Sequence, residues 1–344
     1  MKKITVLLFL LFFLSPVIYS KTGNVLLPIA FYANETGFGL GATDIFYFKN
    51  EEDKHHSSIN SVAFGTTQKQ FLFVARPEIY MNKNYIIEGF LVYSDFKKKF
   101  YGVGNKSNFN DEEDYTNRAY GIGVGVQRKF LENVKFGAQY NFYDLSVKDK
   151  KIGGLLENYT TDGLISGFGL KISLDTRDNN ICAQKGYKLD ISWLMYNNQF
   201  SSNFNYSETI IDFRNYMELN KNILFSYQFY SRFLNGEPPV QMLSTFGGAN
   251  HMRGFYSGRY VDNIVMLFQP EIKIKMTNLL QLAIFSGIGN VYHDLESIDL
   301  QQIKIASGLG LRIKLKDNPK INIRADFGFS SESKGVYITI LEAF

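Results

Sequence analysis

Apolar and polar residues alternate along much of this chain. Between residues 321 and 329 every odd position carries an apolar side chain, and every even position is polar or glycine. The same alternation occurs at 308–315 and at 271–276. Successive side chains on a strand point to opposite faces, so a period of two predicts β-strands with one apolar and one polar face.

Sixteen segments have this pattern and the length of a strand. They are residues 23–33, 37–49, 57–67, 70–80, 84–96, 117–130, 133–146, 163–175, 186–197, 206–219, 221–234, 262–276, 281–291, 303–316, 319–330 and 334–344. Most have about ten to fourteen residues, which suits a tilted strand that crosses a bilayer. An even number of strands returns both chain ends to one side. The long connections 97–116, 147–162 and 235–261 then all fall on the other side.

We therefore predict an all-β fold, a 16-stranded antiparallel transmembrane β-barrel. A secreted β-sandwich also shows alternation, but it buries its apolar faces in a shared core. The sandwich is the alternative, and the length of the strands favours the barrel.

The first twenty residues have the features of a leader. Lys2 and Lys3 precede an apolar run, and Ser20 is a small residue before Lys21. This order predicts a signal peptide at 1–20, with the barrel at 21–344. Without the two leader lysines the formal net charge falls from +4 to about +2, too small to indicate a nucleic-acid partner. A single cysteine, Cys182, excludes an intrachain disulfide.

The composition is typical of long strands, and the sequence contains few candidate metal-binding or catalytic residues. Aromatic residues make up 16% of the chain, which has only 7 prolines. His55–His56 lacks a third ligand nearby, and Asp111–Asp114 lacks the ligand spacing of a calcium loop, so we expect no metal and no cofactor. We expect no enzymatic activity, and an enzyme that uses His293 is the least favoured hypothesis because His293 and Asp294 point apart on a strand.

One long connection carries unusual chemistry for a loop. Residues 247–263 are rich in glycine, yet they include two arginines, two tyrosines and a phenylalanine within Gly247-Gly248-Ala249-Asn250-His251-Met252-Arg253-Gly254-Phe255-Tyr256-Ser257-Gly258-Arg259-Tyr260-Val261-Asp262-Asn263. Strand parity places this loop outside, between the eleventh and twelfth strands. Met252-Arg253-Gly254-Phe255 resembles the tip of the sixth extracellular loop in the BamA/TamA superfamily, the bacterial surface antigen domain.

Further segments strengthen the resemblance. Residues 174–179 are similar to a periplasmic turn of that family, and residues 32–37 resemble its first hairpin. The final Phe344, with Ile340 and Ile338 on the same predicted face, is similar to the C-terminal signal that the barrel-assembly machinery recognises. The resemblance therefore implies this machinery as a partner during biogenesis.

The resemblance also implies a latch that holds the loop inside the lumen. In the family, the loop arginine pairs with carboxylates on the inner wall, and Glu271 matches one of these partners. The second acid is expected where this chain has Gly287. Asp326 faces the same side and is predicted to replace it, since a buried guanidinium requires carboxylates. The predicted latch is therefore Arg253, Gly254, Phe255, Glu271 and Asp326.

These features lead to a functional hypothesis. The resemblance implies an outer-membrane barrel that assists protein assembly or the translocation of a polypeptide or lipid. No segment is left for a periplasmic POTRA module, so we expect a form without it and a separate periplasmic or client protein as partner. Outer-membrane lipids and lipopolysaccharide are expected around the barrel, and Lys97–Lys99 is either a contact for lipopolysaccharide phosphates or a solvated loop start. The alternative is a passive pore or structural surface barrel that the loop plugs.

Overall fold

Sixteen strands form one antiparallel sheet in the computed structural model, which describes residues 21–33, 37–49, 55–81, 84–317 and 320–344. The predicted signal peptide lies outside the described residues, as does part of the resemblance at 32–37. In chain order the strands are β1 (Lys21–Ala33), β2 (Gly37–Lys49), β3 (Ser57–Thr66), β4 (Phe71–Met81), β5 (Tyr85–Phe100), β6 (Glu113–Lys129), β7 (Val134–Lys148), β8 (Gly163–Asp175), β9 (Gly186–Tyr196), β10 (Tyr206–Asn220), β11 (Ile223–Gly236), β12 (Ser244–Phe246), β13 (Tyr260–Asp262), β14 (Ile264–Lys275), β15 (Leu280–Tyr292), β16 (Lys304–Asp317), β17 (Lys320–Ser330) and β18 (Lys334–Ile340).

Each strand of the large sheet pairs with the next one along the chain, in the order β1 to β11 and then β14 to β18. The short strands β12 and β13 form a separate pair within the connection between β11 and β14. The sixteen predicted strands are therefore confirmed, and the two additional strands belong to the loop. In the described part of the chain, no helix is both long enough and apolar enough to cross a membrane.

The apolar face of the sheet is exposed and the polar face is buried. Leu309 and Phe327 are 53% and 45% exposed, whereas Arg312, Arg324 and Asp326 are at most 1% exposed. A sandwich would bury its apolar faces, so that alternative is wrong. We call the face that carries the buried charges the inner face.

The strands that extend furthest beyond their predicted limits are β5 and β6. The prediction ended one strand at residue 96 and began the next at 117, but β5 and β6 extend to Phe100 and Glu113. Lys97 pairs with Asp114 at 2.9 Å and Lys99 with Glu112 at 2.5 Å. These opposite charges lie across the hairpin, where such pairs stabilise a ladder. Glu113 and Asp114 therefore belong to β6, whereas Asp111 and Glu112 lie just before it.

The C-terminus also differs from the prediction. The last strand ends at Ile340 and not at Phe344, because Leu341 has a positive φ of 73° that turns the chain. Ile338 is 73% exposed on the outer face, whereas Phe344 is only 9% exposed. The predicted placement of Phe344 on one face with Ile338 and Ile340 is thus wrong in this structure. Its recognition by the assembly machinery stays a prediction.

The first and last strands form the two edges of the sheet. β1 pairs with β2 through thirteen residue pairs, whereas β17 pairs with β18 through seven. Side chains near the two edges still touch, since Ile45 and Tyr47 of β2 pack in one apolar cluster with Ile321 of β17 and Ile340 of β18. Lys316 also donates a hydrogen bond to the Tyr47 hydroxyl. The edge strand β18 is thus held by a short ladder and by side-chain contacts near one end.

Candidate functional site

The loop between β11 and β14 packs on the inner face of the sheet. Phe246, Met252 and Phe255 of the loop are buried in one cluster with Leu267 of β14 and Val291 of β15. Apolar residues on both sides of this contact exclude water, which stabilises the packed position of the loop. The loop therefore rests on the strands that carry the predicted carboxylates.

Arg253 reaches both predicted acidic partners. Its Nη1 donates a hydrogen bond of 2.5 Å to Asp326 Oδ2, and its Nη2 lies 2.8 Å from Glu271 Oε2 as an ion pair. The guanidinium carbon is 3.6 Å from the centre of the Phe285 ring, which places the cation over an aromatic face. The structure thus brings Arg253, Glu271 and Asp326 together.

A second arginine, which the sequence analysis missed, bridges the same carboxylates. Arg312 Nη2 donates to both oxygens of Glu271 at 3.0 Å, and its Nη1 donates to Asp326 Oδ1 at 2.5 Å. Its Nε donates to Glu342 at 3.2 Å. All of these are charge-assisted hydrogen bonds, which are shorter and stronger than hydrogen bonds between neutral groups. The signal in the sequence was the alternation in β16, which places Arg312 on the inner face.

The surrounding cluster contains more positive than negative charge. Its basic members are Arg253, Arg312, Arg324 and Lys273, and its acidic members are Glu271, Asp326 and Glu342. Among the described residues, Nε and Nη2 of Arg253 and Nη1 of Arg324 have no hydrogen-bond acceptor. Arg253 Nη2 is therefore attracted to Glu271 without being aligned for a hydrogen bond. Buried charges are costly unless they are paired, so this cluster depends on each of its three acids.

Glycines allow the loop backbone to lie directly on β17. Gly254 has a φ of 114°, and a Cβ added to Gly328 would lie 2.7 Å from both Arg253 C and Gly254 N. The Gly254 amide donates to the Tyr337 hydroxyl at 3.0 Å, and the Ser333 hydroxyl donates to the Gly254 carbonyl at 2.6 Å. The tip is thus tied to β18 as well as to β17.

Gly287 stands where the resemblance places the second acid. A Cβ added there would lie 2.7 Å from Met252 Sδ, so the loop methionine fills the space that a side chain would need. Met252 is fully buried, and its amide donates to Gln269 Oε1 at 2.9 Å. Asp326 of β17 supplies the carboxylate that is absent at Gly287.

The outer end of the loop has its own anchor, also missed by the sequence analysis. Arg259 Nη2 donates to the Ser107 carbonyl at 3.0 Å, and its Nε lies 3.2 Å from Glu332. Its guanidinium carbon is 4.2 Å from the centre of the Tyr260 ring and 4.8 Å from that of Tyr101. Burial, followed by the hydrogen bond to Glu332, raises the pKa of Tyr260 well above its ordinary value. Arg259 thus connects the loop to two neighbouring connections.

Solved structures of low sequence identity share this fold. BamA from Haemophilus ducreyi lacking POTRA domains 1–3 aligns with a TM-score of 0.61 at 12% identity, over 93% of this chain and 70% of that one. CdiB from Acinetobacter baumannii and CdiB from Escherichia coli each align with a TM-score of 0.57 over 93% of this chain, at 14% and 10% identity. This chain spans 59% and 61% of those two chains. A search of curated proteins finds no match.

A family model gives the assignment. The model described as the Omp85 superfamily domain matches residues 57–337, which is most of the chain and includes the loop and every charged residue of the cluster except Glu342. The resemblance to BamA predicted from the sequence is confirmed by this match and by the shared fold. The chain belongs to the Omp85 superfamily.

Proposed function

We propose that this chain is an outer-membrane barrel that assists the assembly of membrane proteins or the passage of a polypeptide or lipid, together with a separate partner protein. Residues 247–263 act as a latch in the lumen. The observation that carries this proposal is the attachment of the loop tip to β17 and β18, the last two strands of the sheet.

The latch contacts the most weakly paired edge of the sheet. β18 has seven residue pairs with β17, and the loop adds hydrogen bonds from Gly254 to Tyr337 and from Ser333 to Gly254. A loop that leaves this position removes those bonds and exposes the inner face of β18. Opening between the first and last strands then admits a client strand, since unpaired strand edges bind other strands.

The outer face supports a membrane location for this activity. Exposed leucine, isoleucine and phenylalanine side chains cover the strands and are suited to contact with lipid tails. The aromatic residues Tyr93 and Tyr120 pair at 4.9 Å, just before the charged hairpin end at Asp95 and Arg118. Aromatic residues at this position are typical of the level of lipid headgroups, where lipopolysaccharide is the proposed neighbour.

Two measurements test the proposal. Single-channel conductance in planar bilayers is compared for the wild-type protein, Arg253→Ala and the control Arg118→Ala, which removes an arginine from the outer face. We expect Arg253→Ala alone to raise the conductance, because the loop is released from the lumen.

In the second measurement, liposomes that contain the protein receive a urea-unfolded barrel protein, and the rate of its folding is followed.

Together, the conductance and the folding rate distinguish a barrel that assists assembly from a passive pore or structural barrel. Faster folding of the client than in empty liposomes supports a role in assembly. A steady current that Arg253→Ala does not change, with no acceleration of folding, would instead establish a passive pore or structural barrel.

A further inference from the structure

A strongly basic cavity lies at the end of the sheet where β1 begins and β18 ends. Its volume is about 360 Å³, and its described lining includes six basic side chains but only two acidic ones, Glu218 and Asp317. We call it the basic vestibule. It falls within the range of about 300–1,000 Å³ found for ligand pockets.

Much of the positive charge in the basic vestibule is not neutralised. Lys314 pairs with Asp317 at 2.7 Å, and Glu218 pairs with Lys185. By contrast, the other lysines near the opening have no ion pair among the described residues; they are Lys221, Lys275 and Lys320. Clustered cations with low-dielectric walls raise the local concentration of anions.

Two basic side chains that line the basic vestibule, Lys273 and Arg312, already hold a carboxylate from the chain's own C-terminal tail. Glu342 Oε2 is 3.0 Å from Lys273 Nζ and accepts a hydrogen bond of 3.2 Å from Arg312 Nε. Its Oε1 accepts a hydrogen bond of 2.9 Å from Asn322 and a longer one from Cys182. The donors that line the vestibule therefore form a binding site for one carboxylate.

We propose that the basic vestibule binds an acidic segment of a polypeptide, and that a carboxylate of this segment replaces Glu342 on Lys273 and Arg312. Glu342 is the model for the ligand, because the same donors would receive either carboxylate. Lys275 and Lys320 then contact further acidic residues of the segment near the opening. This inference depends on the proposed function only where it identifies the segment as part of a client or partner.

The position of the cations favours a polypeptide over a membrane lipid. Lys273, Lys275 and Lys320 lie on the same face of their strands as Glu271 and Arg324, which is the inner face. A lipid headgroup beside the outer face is separated from them by the wall of the sheet. A flexible acidic chain can enter from the end of the barrel.

Binding in the basic vestibule is coupled to the latch through Arg312. The same guanidinium holds Glu342 through Nε, and Glu271 and Asp326 through its two Nη atoms. Both of those acids are partners of Arg253. A carboxylate that replaces Glu342 therefore binds a guanidinium that also holds both partners of Arg253.

The test uses the full chain in detergent micelles, with fluorescein-labelled deca-glutamate as the probe and labelled deca-glutamine as the uncharged peptide. Fluorescence anisotropy measures the affinity at several salt concentrations. The variant Lys275→Gln/Lys320→Gln removes two cations at the opening. Its matched control, Lys106→Gln/Lys151→Gln, removes two exposed lysines at the opposite end of the sheet.

We expect deca-glutamate to bind more tightly than deca-glutamine, with an affinity that falls as salt increases. Lys275→Gln/Lys320→Gln weakens binding about tenfold, since each partly exposed charge contact contributes modestly. The control pair leaves the affinity within about twofold of the wild type. Glu342→Gln, which removes the competing carboxylate, tightens binding.

Several outcomes would overturn the inference. Equal binding of both peptides, or equal losses in the two lysine pairs, would show that no acidic segment is recognised in the basic vestibule. Equal competition by phosphatidylglycerol vesicles and by unlabelled deca-glutamate would assign the cations to a lipid. Each of these results leaves the conductance of Arg253→Ala unaffected, so the proposed function is judged separately.

Discussion

Arg312, a strand residue, is expected to stabilise the folded protein more than the loop residue Arg253 does. Arg312 makes four hydrogen bonds to three carboxylates, whereas Arg253 makes one hydrogen bond and one close ion pair. Both side chains are buried, so solvent does not replace the lost partners. The comparison of Arg312→Ala with Arg253→Ala therefore tests how the cluster is held together.

The loss in free energy of unfolding depends on which contacts remain in the cluster after each substitution. After Arg253→Ala, Arg312 still binds Glu271 and Asp326. The cluster then contains three basic and three acidic side chains, so its charges balance. The cost is then close to that of one charged hydrogen bond, about 2 kcal/mol. After Arg312→Ala, Glu271 keeps the unaligned contact with Arg253, and Glu342 keeps Lys273 and Asn322. Such a poorly compensated buried charge costs about 4 kcal/mol.

Urea unfolding in detergent measures the difference. The fluorescence of Trp193, the single tryptophan, reports unfolding, and linear extrapolation gives the free energy for each variant under reversible conditions. The control is Arg118→Ala, which removes a partly exposed pair with Asp95 on the outer face and should cost about 1 kcal/mol. If Arg253→Ala costs as much as Arg312→Ala, the bridging role assigned to Arg312 is wrong.

Three further predictions concern the loop. Gly328→Ala places a Cβ 2.7 Å from Arg253 C, so hydrogen exchange of the loop amides should accelerate, whereas the control Gly65→Ala, with no atom nearer than 3.8 Å, should change nothing. Arg259→Gln should accelerate proteolysis of the connection 101–112, because its bonds to that connection are lost, and a rate equal to the wild type would contradict this. Burial is the main cause that lowers the pKa of His251 to about 4, against an ordinary value of 6.5. The unfolded loop therefore binds more protons, and its folded position loses stability as the pH falls from 6.5 to 4. His251→Phe should remove this pH dependence of hydrogen exchange. If the dependence is unchanged in the variant, protonation of His251 is not its cause.

The strands were predictable because their signal is local. Period-two alternation and a length suited to the bilayer are properties of each segment on its own, and sixteen such segments were found. The limits of β5 and β6 were wrong because pairs such as Lys97–Asp114 extend the hairpin across two strands. Such contacts depend on which residues face each other, which periodicity within one strand does not reveal.

The site was predicted in part for a similar reason. Arg253 and Glu271 occupy positions in a recognisable pattern, and Asp326 is acidic on the inner face. Arg312 was missed because its role depends on register, which places Gly310 opposite Asp326 and lets the arginine reach over the glycine. Glu342 was missed because the strand was expected to continue through it. The turn at Leu341 sends that carboxylate to the inner face.

The positions of Gly287 and Asp326 show which strand holds the tip of the loop. The acid expected on β15 is absent, and Met252 occupies the space beside Gly287. Asp326, two strands away, supplies the charge and binds Arg253 and Arg312 together. A carboxylate on β17 is attached to the strand next to the edge, whereas one on β15 is not. Moving the acid therefore couples the loop more directly to β17 and β18, whose separation from the first strands is the step that the proposed function requires.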